Sequence, residues 1–271
     1  MSHQILLSSD GTRIDIGEGR YEYPVSIDLK ITDYCATGCP WCHESSGKGG
    51  RHADVDKILD HLKFLPPGVE IALGGGNPLS HPELSRLVSS LKGLGFIVNM
   101  TVRDSDIVED IDYVTGLGIS ITPSSAIDYL GKLSSNNLVA HMILGINSIS
   151  DYRRVKEKFS RILWLGFKIW GRNRNSVLPD LTEIRREIVQ DLYTGRNLVL
   201  AFDNLAITQL DLRSSFLKKE WESFYLGNEF TSTMYVDAVR GEYAGYSISP
   251  DRISWDDLNI LEYYVKYSQK V

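Results

Sequence analysis

The stretch PVSIDLKITDYCATGCPWCHE, residues 24–44, decides the fold. Its first half alternates. Val25, Ile27, Leu29 and Ile31 share one face, and Ser26, Asp28, Lys30 and Thr32 share the other, which is the period-two pattern of a strand. Its second half holds all 3 cysteines of the chain, Cys35, Cys39 and Cys42, spaced C-x3-C-x2-C. Soft thiolates suit iron–sulfur clusters, copper(I) or zinc. Three thiolates on one short loop suit a cluster with one iron left open, and an open coordination site is where chemistry takes place. A structural zinc wants four tetrahedral ligands. His43 would be the fourth, but its adjacency to Cys42 strains that geometry.

Composition narrows the rest. A chain of 271 residues with 42% apolar content is expected to build a proper core. The formal net charge of −6 disfavours broad nucleic-acid binding through a basic surface. No apolar run of about 18 residues is present, so no membrane span is expected. The start, MSHQILLSSDGTRID, does not read as a secretory signal. Clustered cysteines in odd number argue against a disulfide framework. A reducing cytoplasm is the expected location.

Outward from the opening stretch, strand-like and helix-like runs alternate. Strands are expected at residues 25–32, 69–73, 97–102, 119–122, 138–144 and 167–170, with helices at 54–64, 82–94, 106–117 and 150–165. Ser80 or His81, Ser105, and Ser150 with Asp151 read as helix caps. Gly95 and Gly118 read as helix stops. Residues 5–16 read as a hairpin about Ser9-Asp10-Gly11, an N-terminal β-extension. A helix at 182–193, a strand at 198–202, a helix at 211–225, a hairpin at 234–246 turning near Arg240-Gly241 and a helix at 255–268 follow. Strands each followed by a helix imply an α/β fold with a parallel sheet and right-handed crossovers, either doubly wound or a barrel.

After the second expected strand comes ALGGGNPLSHP, residues 72–82. Gly74, Gly75 and Gly76 let the backbone approach a ligand closely; a tight turn is the plainer reading. Together, the cysteine spacing, the aromatic Trp41 just before the third cysteine and this glycine run resemble the radical S-adenosylmethionine (radical SAM) superfamily. The family usually carries Glu where Asn77 stands. A neutral carbonyl replaces a charged acceptor there, and charge-assisted hydrogen bonds are about twice as strong as neutral ones.

The resemblance implies a partial (β/α)6 TIM-like barrel over about residues 22–175, with a C-terminal α/β extension over about 176–271 that covers the substrate, all in one domain. It implies a [4Fe–4S] cluster on Cys35, Cys39 and Cys42, with SAM on the open iron. Reductive cleavage of SAM to a 5′-deoxyadenosyl radical, which abstracts hydrogen from a peptide, nucleotide or small metabolite, is the implied activity. SAM would be held by Trp41, Gly74, Gly75, Gly76 and Asn77, and by Ser124, Ile143 and Lys168. Ser124 reads equally as a helix cap before residues 126–133. Electrons would come from an external flavodoxin-like or ferredoxin-like donor, since no cysteine remains for a second cluster.

Barrel sites gather at the C-terminal ends of the strands. That rule makes Arg103, Arg172 and Arg174 candidates for substrate contact, beside Asp28 and Lys30 on the polar face of the first strand and Tyr235 in the late hairpin. Asp28 and Lys30 also read as a simple ion pair, and Arg suits an anionic group. Asp203, Asn204 and Asp237 are further candidates. The Gly-rich residues 45–52 read as a mobile cover beside the cysteines. Two rival readings stand: a glycyl-radical-type activating enzyme acting on a partner protein, and a non-radical SAM- or metal-binding protein.

Overall fold

The structure, a computed structural model, describes residues 4–7, 13–16, 21–103, 114–127, 137–194, 197–225 and 227–268. Strands β1 (Gln4–Leu7) and β2 (Arg13–Ile16) pair antiparallel, Gln4 opposite Ile16, as the expected N-terminal extension. The turn at 9–11, the Ser105 cap, nearly all of the helix expected at 106–117 and most of the turn after Ser124 lie outside the described residues.

The rest is one ten-stranded sheet. Its centre is β3 (Ser26–Thr32), β4 (Glu70–Gly75), β5 (Ile97–Arg103), β6 (Gly116–Ser120), β7 (Leu138–Ile143) and β8 (Arg161–Leu165), six strands paired parallel in chain order. These are the six strands of a partial (β/α)6 barrel. Strand β9 (Val199–Phe202) extends the sheet parallel to β8. At the other end β10 (Thr233–Asp237) lies parallel to β3, followed by antiparallel β11 (Glu242–Ala244) and β12 (Arg252–Ser254). The expected hairpin is β10–β11, with Gly241 at φ +73° in its turn.

Local chemistry explains the helices. Helix α1 (Val55–Leu62) starts where Asp54 accepts from the amides of Asp56 and Lys57, and it buries Val55, Ile58 and Leu62 on one stripe. Helix α2 (Leu84–Gly93) buries Leu84, Leu87, Val88 and Leu91 and ends at Gly95, φ +83°, as expected. Its N-cap is Glu83, not Ser80 or His81; Asn77 caps a short 3-10 turn over Pro78–Ser80 instead. Helix α3 (Ile149–Lys156) begins at a capping box of Ser148 and Asp151, two residues before the expected Ser150. Helix α4 (Thr182–Thr194), α5 (Asn204–Gln209), α6 (Lys218–Phe224) and α7 (Ile260–Tyr267) complete the described helices.

Three expectations need correction. The sixth barrel strand is β8, residues 161–165, not 167–170, so helix α3 ends at Lys156. Its sequence RILWL is a short, nearly continuous apolar run in which no period can be read, because Leu163 and Leu165 face the lumen while Ile162 and Trp164 face the core, and it merges with the helical spacing before it. Gly118 is not a helix stop but lies inside β6. An added Cβ there would stand 2.5 Å from the His141 ring, so the glycine makes room for that side chain. The single helix expected at 211–225 is a 3-10 turn (Leu212–Ser215) followed by α6.

The core lies between the sheet and its outer helices. Trp164 is fully buried, with Tyr152 edge-on to it at 5.3 Å. Leu87, 0% exposed, sits in the middle of the α2 stripe. Leu87→Ala should lower unfolding free energy by about 3 kcal/mol, measured by urea denaturation.

Candidate active site

The cysteine loop begins where β3 ends, and the chain then folds back on itself. Asp33 N donates to Arg51 O (2.8 Å), Cys35 N to Gly47 O (3.1 Å) and Gly47 N to Asp33 O (3.0 Å). Bridges join Thr32 with His52 and Tyr34 with Gly47. Gly50 is forced, since an added Cβ would fall 2.1 Å from the Asp33 carbonyl. Residues 45–52 are therefore a hydrogen-bonded return beside β3 rather than a mobile cover.

Cys35, Cys39 and Cys42 are free, half-buried thiols within mutual electrostatic reach. Burial pushes the Cys39 thiol up, and the Arg103 guanidinium, 3.9 Å from its sulfur, pulls it back. Among the described residues no three His, Cys, Asp or Glu side chains converge on one point as ligands of a single metal ion. Three soft thiolates on one short loop are a donor set that suits an iron–sulfur cluster. His43 Nε2 faces Glu44 at 3.5 Å, and burial, with Lys168 and Lys30 nearby, holds its pKa well below the ordinary value.

The loop is tied to the barrel by Lys30. Its buried ammonium meets Asp33 at 2.6 Å, Glu44 at 2.8 Å and Asp237 at 3.1 Å. Burial opposes that charge, but Glu44, Asp33 and Asp237 outweigh it and raise the pKa of Lys30. Tyr235 donates its hydroxyl to Glu44 (3.0 Å). The expected Asp28–Lys30 pair is absent: Lys30 reaches up to the loop, and the cation facing Asp28 is Lys168.

The glycines at the end of β4 divide in two. Gly74 has open space before it and lines the barrel lumen. Gly75 (φ +108°) and Gly76 are pressed against the cysteine loop's own backbone, where added Cβ atoms would stand 2.4 Å from Thr32 O and 2.1 Å from Tyr34 O. Asn77 uses its side-chain oxygen to accept from Leu79 N (3.1 Å), an N-cap role. Ser124 is exposed after β6, with its hydroxyl 3.1 Å from Thr122. Ile143 ends β7, where Asn147 accepts from its amide and donates to Ile121 O. That buried Asn147, which joins the tops of two strands, was not among the sequence candidates; nothing in its surroundings of polar turn residues marks it. Trp41 is half-buried in the cysteine loop.

Lys168 lies in the segment after β8, not in a strand. Its carbonyl accepts from Asn173 Nδ2 (2.9 Å) and its ammonium donates to Ser247 (2.9 Å). Arg172 donates to the carbonyls of Cys39 and Ser46, both at 2.8 Å. Arg174 is exposed and, like Arg103 and Arg172, lines neither cavity described below.

The lumen encloses about 580 Å³ and is lined by Asp28, Lys30, Glu70, His141, Lys168, Asp203, Glu229 and Tyr235 among others. A second cavity of about 700 Å³ lies outside it, walled by Tyr225, Phe230, Tyr263 and Tyr267; Lys168, Glu229, Tyr246 and Ser247 belong to both. Burial raises the pKa of Asp28, Asp203 and Glu229, with Lys168 pulling all three down. Asp28 is walled in by protein yet open to the cavity, so the cavity is its route to solvent. His141, deprived of solvation, is pushed down to about 4 and is neutral at pH 7. Tyr235 is held protonated by burial and by Glu44 and Asp237. Lys30→Met would strand three carboxylates and should cost about 3–5 kcal/mol of stability, read from denaturant midpoints.

Comparison with known proteins supplies the remaining step. The family model of the Radical SAM superfamily matches residues 29–164. The 7-carboxy-7-deazaguanine synthase of Aquifex aeolicus is 24% identical over 186 residues, 66% of this chain and 84% of that protein. The enzyme of the same name from Koribacter versatilis is 35% identical over 80 residues, 27% of this chain and 35% of its own. Among solved structures, Streptococcus suis SuiB bound to precursor peptide SuiA superposes with a TM-score of 0.65 at 15% identity, covering 90% of this chain and 65% of that one. SuiB bound to S-adenosylmethionine gives 0.64 at 14% identity, covering 90% and 66%. This chain thus spans just under two thirds of SuiB, and that likeness is one of fold. With β3, the cysteine loop and the strands through β8 all inside the matched segment, the chain belongs to the radical SAM superfamily and is a radical SAM enzyme.

Proposed function

We infer that the chain uses SAM and a [4Fe–4S] cluster, as membership of the family implies. We propose that Cys35, Cys39 and Cys42 hold the cluster, and that Gly74–Asn77, Trp41, Ser124, Ile143 and Lys168 make the SAM site beside it. The observation that carries this reading is the position of the thiol trio. It sits on the loop after β3, against whose backbone Gly75 and Gly76 press, while Gly74 and Gly75 line the lumen. When bound, cluster and SAM supply a 5′-deoxyadenosyl radical. The protein's part is to orient the substrate and exclude water.

The substrate lies in the lumen and presents a positively charged or donor-rich group to Asp28, Glu70, Asp203 and Glu229. Four carboxylates line it together with Lys168, and burial raises the pKa of three of them, Asp28, Asp203 and Glu229. Lys30 and Tyr235 frame the same wall. An amine-bearing peptide or small molecule fits this lining; SuiB is known bound to a precursor peptide. The electron comes from an external flavodoxin-like or ferredoxin-like donor. Residues 22–175 act as the barrel core and 176–271 as its cover within one domain, and the free thiols suit a reducing cytoplasm. Among the described residues no helix is long and apolar enough to cross a membrane.

Anaerobic reconstitution followed by reduction in the presence of SAM should release 5′-deoxyadenosine, detected by mass spectrometry. Cys42→Ala should abolish both the visible absorbance and that product. Iron-free wild-type protein, or product from the variant, would overturn the assignment. Asp28→Asn gives a separate check. A raised carboxylate pKa means the folded state binds the proton more tightly than the unfolded, so ionised Asp28 counts against folding. The variant should melt higher than wild type at pH 7–8, and the gain should fade as pH falls through the carboxylate range.

A further inference from the structure

The segment after β8 reaches across the barrel mouth to the cysteine loop. Gly171 adopts φ +57°, and an added Cβ would lie 2.3 Å from His43 O and 2.7 Å from Cys42 O. Arg172 N donates to Cys42 O (3.1 Å), Arg172 Nε to Cys39 O (2.8 Å) and a terminal nitrogen to Ser46 O (2.8 Å). Three carbonyls of one loop, two of them from cysteines, are thus held by one residue 133 positions away from Cys39. The two side-chain donors sit in a rigid planar fork that a lysine lacks, and the third is the backbone amide. Asn173 stiffens the segment by bonding back to Lys168 O, and Asn173 itself is buried.

The geometry points to a clasp: Gly171 and Arg172 set the conformation of the cysteine loop before any cluster is inserted, making Arg172 a positioning residue for the cluster. This rests on the assignment of the three cysteines as its ligands. Loop residues are conformationally expensive to order, at about 1–2 kcal/mol of backbone entropy each. A loop ordered in advance leaves that cost out of cluster binding, just as preorganisation raises affinity elsewhere. Gly171 is required because the close approach to Cys42 and His43 leaves no space for a side chain, and Arg172 because its charge-assisted bonds are stronger than neutral ones. Arg103 complements the clasp from the other side, its guanidinium at the Cys39 sulfur while Arg172 takes the Cys39 carbonyl.

The test uses the full chain as wild type, Arg172→Ala, Arg172→Lys and Gly171→Ala. Each is reconstituted anaerobically with iron and sulfide. Iron retention is followed during dialysis against a chelator, and the reduced cluster is recorded by electron paramagnetic resonance. Hydrogen–deuterium exchange of the iron-free proteins reports on residues 35–47. Arg172→Ala, which removes two charge-assisted hydrogen bonds to the loop and leaves the backbone one, should lose iron at least about tenfold faster than wild type, with a broadened resonance and faster exchange confined to the loop. Arg172→Lys should fall between the two, and Gly171→Ala should resemble Arg172→Ala. Helix α1 should exchange as in wild type, which separates the clasp from general destabilisation. If Arg172→Ala does not fold, the lysine and Gly171→Ala variants carry the comparison. Wild-type retention, resonance and loop exchange in the variants would overturn the clasp. A wild-type protein that binds no iron would overturn the cysteine assignment, and the clasp with it.

Discussion

One buried ammonium holds the site together. Removing a lysine from water costs several kcal/mol, recovered only where the partners are close and well placed. Lys30 has three such partners: Asp33, Glu44 and Asp237, from the strand's own end, the cysteine loop and β10. Asp237 is 207 residues away in sequence, so this contact is also what seats the C-terminal part of the chain against the first barrel strand. Arg252 and Arg240 stand 3.8 and 3.9 Å from Asp237 and extend the same network into β12 and the β10–β11 turn. Tyr235, on the same strand, bonds the remaining oxygen of Glu44. The cysteine loop is thereby set at the mouth of the lumen by charge, while Thr32, Tyr34 and Asp33 set it by backbone pairing.

What the sequence made legible was local. The alternation of residues 25–32 placed apolar side chains outward and polar ones into the lumen, and the burial of Ile27, Leu29 and Ile31 agrees. The cysteine spacing and the glycine run sit at the ends of β3 and β4, where barrel chemistry is expected. What was hidden was either short or distant. Strand β8 is five residues long and apolar on both faces, so no period in its sequence separates it from a helix. The position of β10 beside β3 is a pairing between chain ends, which no local pattern encodes.

The arginines teach the same lesson. Arg172 and Arg103 look like binders of an anionic substrate when read one at a time. In space, one bonds loop carbonyls and the other faces a sulfur. Likewise Gly75 and Gly76 look reserved for a ligand, yet their missing side chains make room for Thr32 and Tyr34. A residue type announces a capability; only the neighbours brought by the fold decide how it is used.

The two chambers that share Lys168 and Glu229 do not act as separate rooms. Glu229 feels Asp203 and Asp28, and all three answer to the same ammonium. Charge set against Glu229 from the outer, tyrosine-walled side is therefore charge set beside the inner carboxylates and their shared lysine, so the wall between the chambers is a boundary of shape and not of field.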